Sequence, residues 1–520
     1  MKEQKKATYR KIEYHRKESF FLLVRGVEVG IFAGLVSVLY RFMLEVAEEG
    51  TMKALDLIKG NTLYTALWFL ILIAIGVIVY FVGKAEPYAM GSGIPVIAGE
   101  LKGYASPSWW RVILAKLIGG TLSVFGGLSL GREGPSVQLG GMAAKGVARV
   151  TKADRTTERR MISCGAGAGM AAAFNAPIAG TMFVLEELHH TFDKSLLCMG
   201  IVSAVVADYT SKIFFGQDNI FNYESLTFPL RFYWILILFG LLLGVLGAAY
   251  NIVMLKLQDL YKAVKKIPQY VKLPAVFIIS GVVGLFLPQV LCGGHSMVSY
   301  LINDRPDIKI LLVLLIAKFL FGAICFACGA PGGTLYPMCI LGSYIGAVFA
   351  YFAINGFGLD GAFWEEFVII GMAGFFASIV RAPITGIILA FELTGNMSNL
   401  LPVAFVSLIS YAIANLLGVT PFYEAMVEKL VRTEAEAPFN KEDEKIIKTY
   451  VVPVGSPLDR KRIMDVPWGK HCIVVSIERD GVSITPKGET KIKEGDELVV
   501  LVSQRRFADD NAKLEELING

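Results

Sequence analysis

Apolar stretches recur along most of this 520-residue chain, near residues 21–46, 64–84, 112–130, 161–188, 197–215, 233–256, 273–291, 309–328, 338–353, 367–393 and 400–418. In lipid such segments must pair their backbone groups internally, which makes each of them a helix. Several are short or interrupted by Gly and Pro. That pattern predicts discontinuous helices around a midplane site rather than a bundle of plain spans. The composition agrees: 54% of residues are hydrophobic and 18% charged, with mean hydropathy +0.55, which excludes an ordinary soluble domain.

Residues 126–141, GGLSLGREGPSVQLGG, place Arg132 and Glu133 among glycines inside this apolar region. A charge at membrane depth is costly and normally faces a protein-lined path where it has a function. The flanking glycines allow the backbone to break, and Pro135 suits the first turn of a helix after the break. Free amides at a helix start form an anion site. The bland alternative is an exposed loop between two spans.

Residues 91–95, GSGIP, are a second glycine break followed by proline, suited to present amides and one hydroxyl at a helix start. The segment 116–135, KLIGGTLSVFGGLSLGREGP, is echoed at 318–337, KFLFGAICFACGAPGGTLYP. Lys116 pairs with Lys318, Gly120 with Gly322, Gly131 with Gly333, Pro135 with Pro337 and Gly140 with Gly342, at a constant spacing of 202. APIAG at 176–180 matches APITG at 382–386, and Glu186 matches Glu392, at 206. Duplicated halves with glycine-broken helices at matching places are the pattern of transporters that bind their cargo between the repeats.

The halves differ in two carboxylates. Glu133 corresponds to Leu335 and Glu187 to Leu393, whereas Glu186 and Glu392 agree. The shared pair reads as structural, bonding backbone groups at broken helices. Glu133 and Glu187 read as functional, with a helix-end carboxylate at the water interface as the alternative for Glu187. Tyr423, after a helix-breaking Pro421, is by itself an interfacial belt residue.

The first eighteen residues are basic and run into an apolar stretch with no small-residue cleavage site, which predicts a retained, cytosolic N-terminus. A net charge of +5 on such a chain fits anionic lipid and gives no reason to expect nucleic acid. The seven cysteines imply no disulfide framework. Cys325 and Cys328 have metal-ligand spacing, but no second pair or nearby His completes a set, so packing is the expected role and no metal is expected. Residues 446–520 change character, with short β-branched runs at 472–478, 482–485 and 497–502 between turn dipeptides, and a closing helix over 505–518.

Together, GSGIP at 91–95, GREGP at 131–135, the Glu186-Glu187 pair, PGGTLYP at 331–337 and Tyr423 resemble the CLC family of chloride channels and chloride/proton antiporters over roughly residues 20–430. PGGTLYP departs from the family's usual GGIFAP, which bears on the side chains of Thr334 and Leu335 more than on their amides. The tail, with GSPLDRK at 455–461 and PKGETKIKEGDELVVL at 486–501, resembles the TrkA-C domain of potassium-transport regulatory subunits. The resemblance implies that Ser92 and Tyr423 hold a central chloride, within an anion site completed by Gly93, Ile94, Arg132, Gly134, Thr334 and Leu335. It also implies that Glu133 is the gating carboxylate, that Glu187 is the internal proton acceptor, and that two copies form a homodimer with separate pathways.

The expected fold is an all-α polytopic membrane protein with an internal, inverted repeat of broken helices, plus a small C-terminal α+β cytosolic domain. The expected divisions are a basic segment (1–20), a transmembrane domain (21–430, repeats near 21–215 and 233–425), a linker (431–445) and a regulatory domain (446–520). The expected function is chloride/proton exchange across a prokaryotic inner membrane, with both termini cytosolic and no cofactor beyond the transported ions. For the ligand of the tail, a small molecule or nucleotide and an ion are the alternatives. A passive chloride channel of the same fold is the rival reading. An enzyme lacks support, since there is no nucleophilic Ser-His setting and no HExxH. A sensor merely anchored by its core would not need a duplicated core.

Overall fold

The computed structural model describes residues 2–217, 221, 226–396, 399–435, 445–453, 455–469, 472–479, 482–503, 513–514 and 516–518, with backbone alone at 2–19, 433–435, 445–446 and 503. The chain divides into two compact units, Met1–Glu434 and Ala435–Gly520.

The first unit is helical. Its first half contains α1 (Lys2–Ile58), α2 (Thr62–Ala85), α3 (Ile94–Leu101), α4 (Trp109–Phe125), α5 (Glu133–Val150), α6 (Arg155–Phe174), α7 (Pro177–Phe183) and α8 (Lys194–Phe215). Its second half contains α9 (Tyr233–Ala263), α10 (Gln269–Phe286), α11 (His295–Asp304), α12 (Ile308–Ala327), α13 (Leu335–Phe357), α14 (Trp364–Val380), α15 (Pro383–Thr394) and α16 (Leu400–Leu416), followed by α17 (Phe422–Ala435). Among the described residues, eight helices are long and apolar enough to cross a membrane.

The halves correspond helix for helix, α1 to α9 through α8 to α16. α1 packs on α8 as α9 packs on α16, and α5 on α6 as α13 on α14, while α2 meets α10 across the halves. Short 3-10 turns at Pro87–Ala89 and Pro288–Val290 precede α3 and α11. Gly93 and Gly294 then open those helices in the left-handed region, at φ 91° and 87°. The helix pairs approach closely because glycine lies at the crossing: Gly140 sits against the Gly165 carbonyl, and Gly342 against the Gly371 carbonyl.

Broken helices leave carbonyls without partners, and buried ones need donors. The repeated lysines supply them. Lys116 Nζ donates to the Gly91 carbonyl at 2.8 Å, and Lys318 Nζ to Val290 and Cys292 at 3.0 and 3.1 Å. Glu186 and Glu392 act at amides instead, and they do so across the halves. Glu392 accepts from Ile178 N and Ala179 N of α7 at 2.9 and 2.7 Å. Glu186 accepts from Ile384 N, Thr385 N and Thr385 Oγ1 of α15 at 3.1, 2.8 and 2.8 Å. Each half thus caps a helix of the other, as a two-fold relation between them requires.

The apolar stretch expected at 367–393 is two helices. Arg381, at φ 70°, ends α14 before Ala382-Pro383 begins α15, because proline lacks an N–H and disfavours helix at the residue before it. Asn175, at φ 54°, makes the same break between α6 and α7. α3 and α5 lie outside the apolar stretches read from the sequence.

The second unit holds a four-stranded antiparallel sheet, order β1-β4-β2-β3, from β1 (Lys445–Val451), β2 (Ile473–Arg479), β3 (Val482–Ile484) and β4 (Glu497–Ser503). Its core includes Val452, Leu458, Ile477, Ile492, Leu498 and Val500. Arg479 clamps the buried Asp496 with two bonds of 2.7 and 2.8 Å at the turn into β4. Residues 513–514 and 516–518 are helical. The rest of the helix expected over 505–518, and most of the linker expected at 431–445, lie outside the described residues.

Candidate ion-binding site

Three helix beginnings meet where the halves are stitched together. Gly131 N donates to Gly333 O and Gly333 N to Gly131 O, both at 2.7 Å, so the segments leading into α5 and α13 form a two-residue ladder. A second seam joins Gly91 N to Gly329 O at 3.0 Å and Gly332 N to Gly91 O at 3.1 Å, bringing the start of α3 alongside. Glycine is required at this crossing, since a Cβ on Gly134 would run into Ser92 and the backbone of Gly333. None of α3, α5 or α13 carries a side-chain cap. Their first-turn amides and aligned dipoles favour negative charge at this place.

Glu133 is the first residue of α5 and is fully buried. Neither of its carboxylate oxygens makes a hydrogen bond of good geometry. The amides of Tyr336 and Arg132 bear on it electrostatically, and the Arg132 guanidinium stands 3.8 Å away. Ser92, Thr334, Tyr336 and Tyr423 are also buried to within 2%, and their hydroxyls make no hydrogen bond of good geometry. Buried polar groups are normally paired, so this many orphans together marks a place built for something polar. The Tyr423 hydroxyl neighbours that of Thr334 and lies within the electrostatic reach of Glu187. Burial of Tyr423 removes its alternative reading as an interfacial belt residue.

The remaining candidates lie around these helix starts and on the turn that follows α7. Gly93 begins α3 with Ile94 fully buried behind it, and the Gln138 side chain packs on Gly93. Thr334 is the residue before α13 and Leu335 its first. Arg132 precedes α5, and its guanidinium stands 3.7 Å from Glu45. Glu187 lies on a π-helical turn, Val184–His189, and is 8% exposed. That wide turn lets the adjacent Glu186 and Glu187 leave the chain in different directions, one toward α15 and the other toward Tyr423 and Glu424.

The structure adds residues that the sequence reading passed over. Tyr336 follows Leu335, and its ring stacks on His295 with centroids 4.1 Å apart. His295 stands 201 residues after Ile94, so CGGH at 292–295 is the second half's counterpart of GSGI at 91–94. The repeat spacing would have found His295. Cys325 and Cys328 are buried and unpaired. Cys325 Sγ accepts from Ser129 N at 3.4 Å, and Cys328 Sγ bonds the Cys325 carbonyl, a packing arrangement.

Comparison with known proteins identifies the family of the core and the domain type of the tail. The family described as voltage gated chloride channel matches residues 75–415, and the TrkA-C domain matches residues 447–509. The H(+)/Cl(-) exchange transporter ClcA of Vibrio campbellii is 35% identical over 429 residues, 80% of this chain and 91% of that protein. The crystal structure of a slow cyanobacterial Cl-/H+ antiporter shares 30% identity with a TM-score of 0.76, covering 80% of this chain and 98% of that one. A CLC-type fluoride/proton antiporter shares the fold alone, at 22% identity and a TM-score of 0.64 over 78% of this chain and 97% of that one. By its matched core and its repeated, glycine-broken helices, the chain belongs to the voltage-gated chloride channel (CLC) family.

Proposed function

We propose that this protein is a chloride/proton antiporter in which Glu133 competes with the transported anion. The observation that carries the reading is the Glu133 carboxylate, fully buried, without a hydrogen bond of good geometry and beside the starts of α5 and α13. An ionised carboxylate there is held by the same amides that would hold a halide. On taking up a proton it loses that attraction and yields the place. Amides supply partial charge only, enough to attract chloride without trapping it.

Ser92 and Tyr423 donate hydroxyls to the central chloride, and the amides of Gly93, Ile94, Gly134, Thr334 and Leu335 complete the site. Arg132 contributes its amide and biases the approach with its charge. Glu187 passes protons between Glu133 and the side of the protein near Glu424. Proton and anion then share the centre and part on the way out. The exchanger names of the relatives support coupled exchange over a passive channel. The protein works as a homodimer with one pathway per copy in a prokaryotic inner membrane, both termini in the cytosol. Its C-terminal domain regulates it by binding a small molecule or nucleotide.

The test is flux in liposomes holding purified protein, with chloride and pH recorded together. An outward chloride gradient drives protons inward through the wild type. Glu133→Gln should pass chloride and move no protons. Proton pumping by that variant would remove Glu133 from the coupling role.

A further inference from the structure

Away from the ion site, a cavity of about 530 Å³ opens between the end of α2, the end of α9, the start of α10 and the loop at Cys328-Gly329. Three lysines line it. Lys84 and Lys262 lie in the last turns of α2 and α9, and neither has a partner among the described residues. Lys272 donates to the Tyr261 and Val264 carbonyls at 3.0 and 3.2 Å. No acidic residue lines the cavity among the described residues, and the nearby Asp259 is paired with Lys429 at 2.6 Å. The Tyr261 hydroxyl is buried without a hydrogen bond of good geometry. The remaining wall is largely apolar, with Tyr80, Met90 and Leu273.

Lysines at helix ends alone would be dipole complements or interfacial anchors. Here they surround a concavity that has an apolar wall and opens at the ends of membrane helices, the form that suits an amphiphile with an anionic head. We propose that this cavity seats the phosphate headgroup of an anionic phospholipid. The phosphate lies among Lys84, Lys262 and the Tyr261 hydroxyl, and the glycerol and first acyl carbons lie against Tyr80, Met90 and Leu273. Two hydrogen bonds link the seat to the segment before Ser92. Gln269 Nε2 holds the Cys328 carbonyl at 3.3 Å, and the next carbonyl, Gly329, receives Gly91 N, the residue before Ser92.

The test uses the full chain in phosphatidylcholine nanodiscs titrated with fluorescent phosphatidic acid, binding being read by energy transfer from tryptophan. Two surface lysines are worth about thirtyfold in affinity for an anionic headgroup, and Lys84→Gln/Lys262→Gln should lose that much. Lys272, which bonds backbone carbonyls, is left in place. Lys152→Gln/Lys194→Gln, equal in charge change, should bind as the wild type does. Binding by the first pair within twofold of wild type, or an equal loss in the second pair, would overturn the assignment. Displacement of the lipid by millimolar inorganic phosphate would overturn its membrane source.

Discussion

Removing Glu392 separates its structural role from a transport role. Its carboxylate accepts two backbone N–H groups at the start of α7. Bonds to a charged acceptor are worth about 1.5–3 kcal/mol each, so Glu392→Ala should cost roughly 4 kcal/mol. Glu392→Gln keeps the shape and one acceptor but turns an amide NH2 toward the second N–H, and should cost about half as much. Glu186 accepts the same pair of bonds from α15 plus the Thr385 hydroxyl. Glu186→Ala should therefore be the worst of the set, and Thr385→Val, which removes only the hydroxyl, should cost about 1 kcal/mol. The assay is thermal unfolding of purified protein in detergent. The expected order of midpoints is wild type, Thr385→Val, Glu392→Gln, Glu392→Ala, Glu186→Ala, spread over on the order of 10 °C. Proton coupling per chloride should survive in every variant that folds. An unchanged midpoint for Glu392→Ala would refute the capping argument. So would lost coupling in Glu392→Gln at an unchanged midpoint.

Glu187→Ala should pass chloride with little or no accompanying proton movement in the liposome assay, and unchanged exchange would reduce Glu187 to a structural residue. In the C-terminal unit, burial tends to raise the Asp496 carboxyl, but the Arg479 pair and the Lys493 amide outweigh it and leave it below the usual carboxylate range. A depressed carboxylate stabilises the fold above its unfolded value near 3.9 and loses that contribution as pH falls through its folded value. Arg479→Gln should therefore speed hydrogen exchange in β4 of the full-length protein at pH 7, relative to wild type at the same pH, and the difference should shrink as the pH falls through the folded value of Asp496. A difference that persists in acid would contradict the assignment.

Much of the ion site was legible because duplication writes its constraints twice. Lys116 with Lys318 and Pro135 with Pro337 marked the repeat, and Glu186 with Glu392 marked a backbone requirement that the structure then filled. The unequal positions Glu133 and Glu187 stood out against that background. The passed-over parts have a common cause. α5 is buried along nearly its whole length by neighbouring protein, so lipid never selects its surface and its glycines, Gln138 and Lys145 give it no apolar run. Hydropathy reads contact with lipid, and α5 has little. Tyr336 was hidden by its motif, because PGGTLYP was read through Thr334 and Leu335. The π-helical turn that separates Glu186 from Glu187 leaves no mark in residue type at all.

In the proposed mechanism the Glu133 carboxylate and the halide use one place. This is tested most directly by bromide anomalous scattering from crystals of Glu133→Gln and wild type grown in bromide at the same alkaline pH. A bromide peak is expected in the variant where the wild-type carboxylate lies, between the beginnings of α5 and α13, in addition to any held by Ser92 and Tyr423. The same peaks in both proteins, with the wild-type carboxylate turned away from that place, would contradict the mechanism.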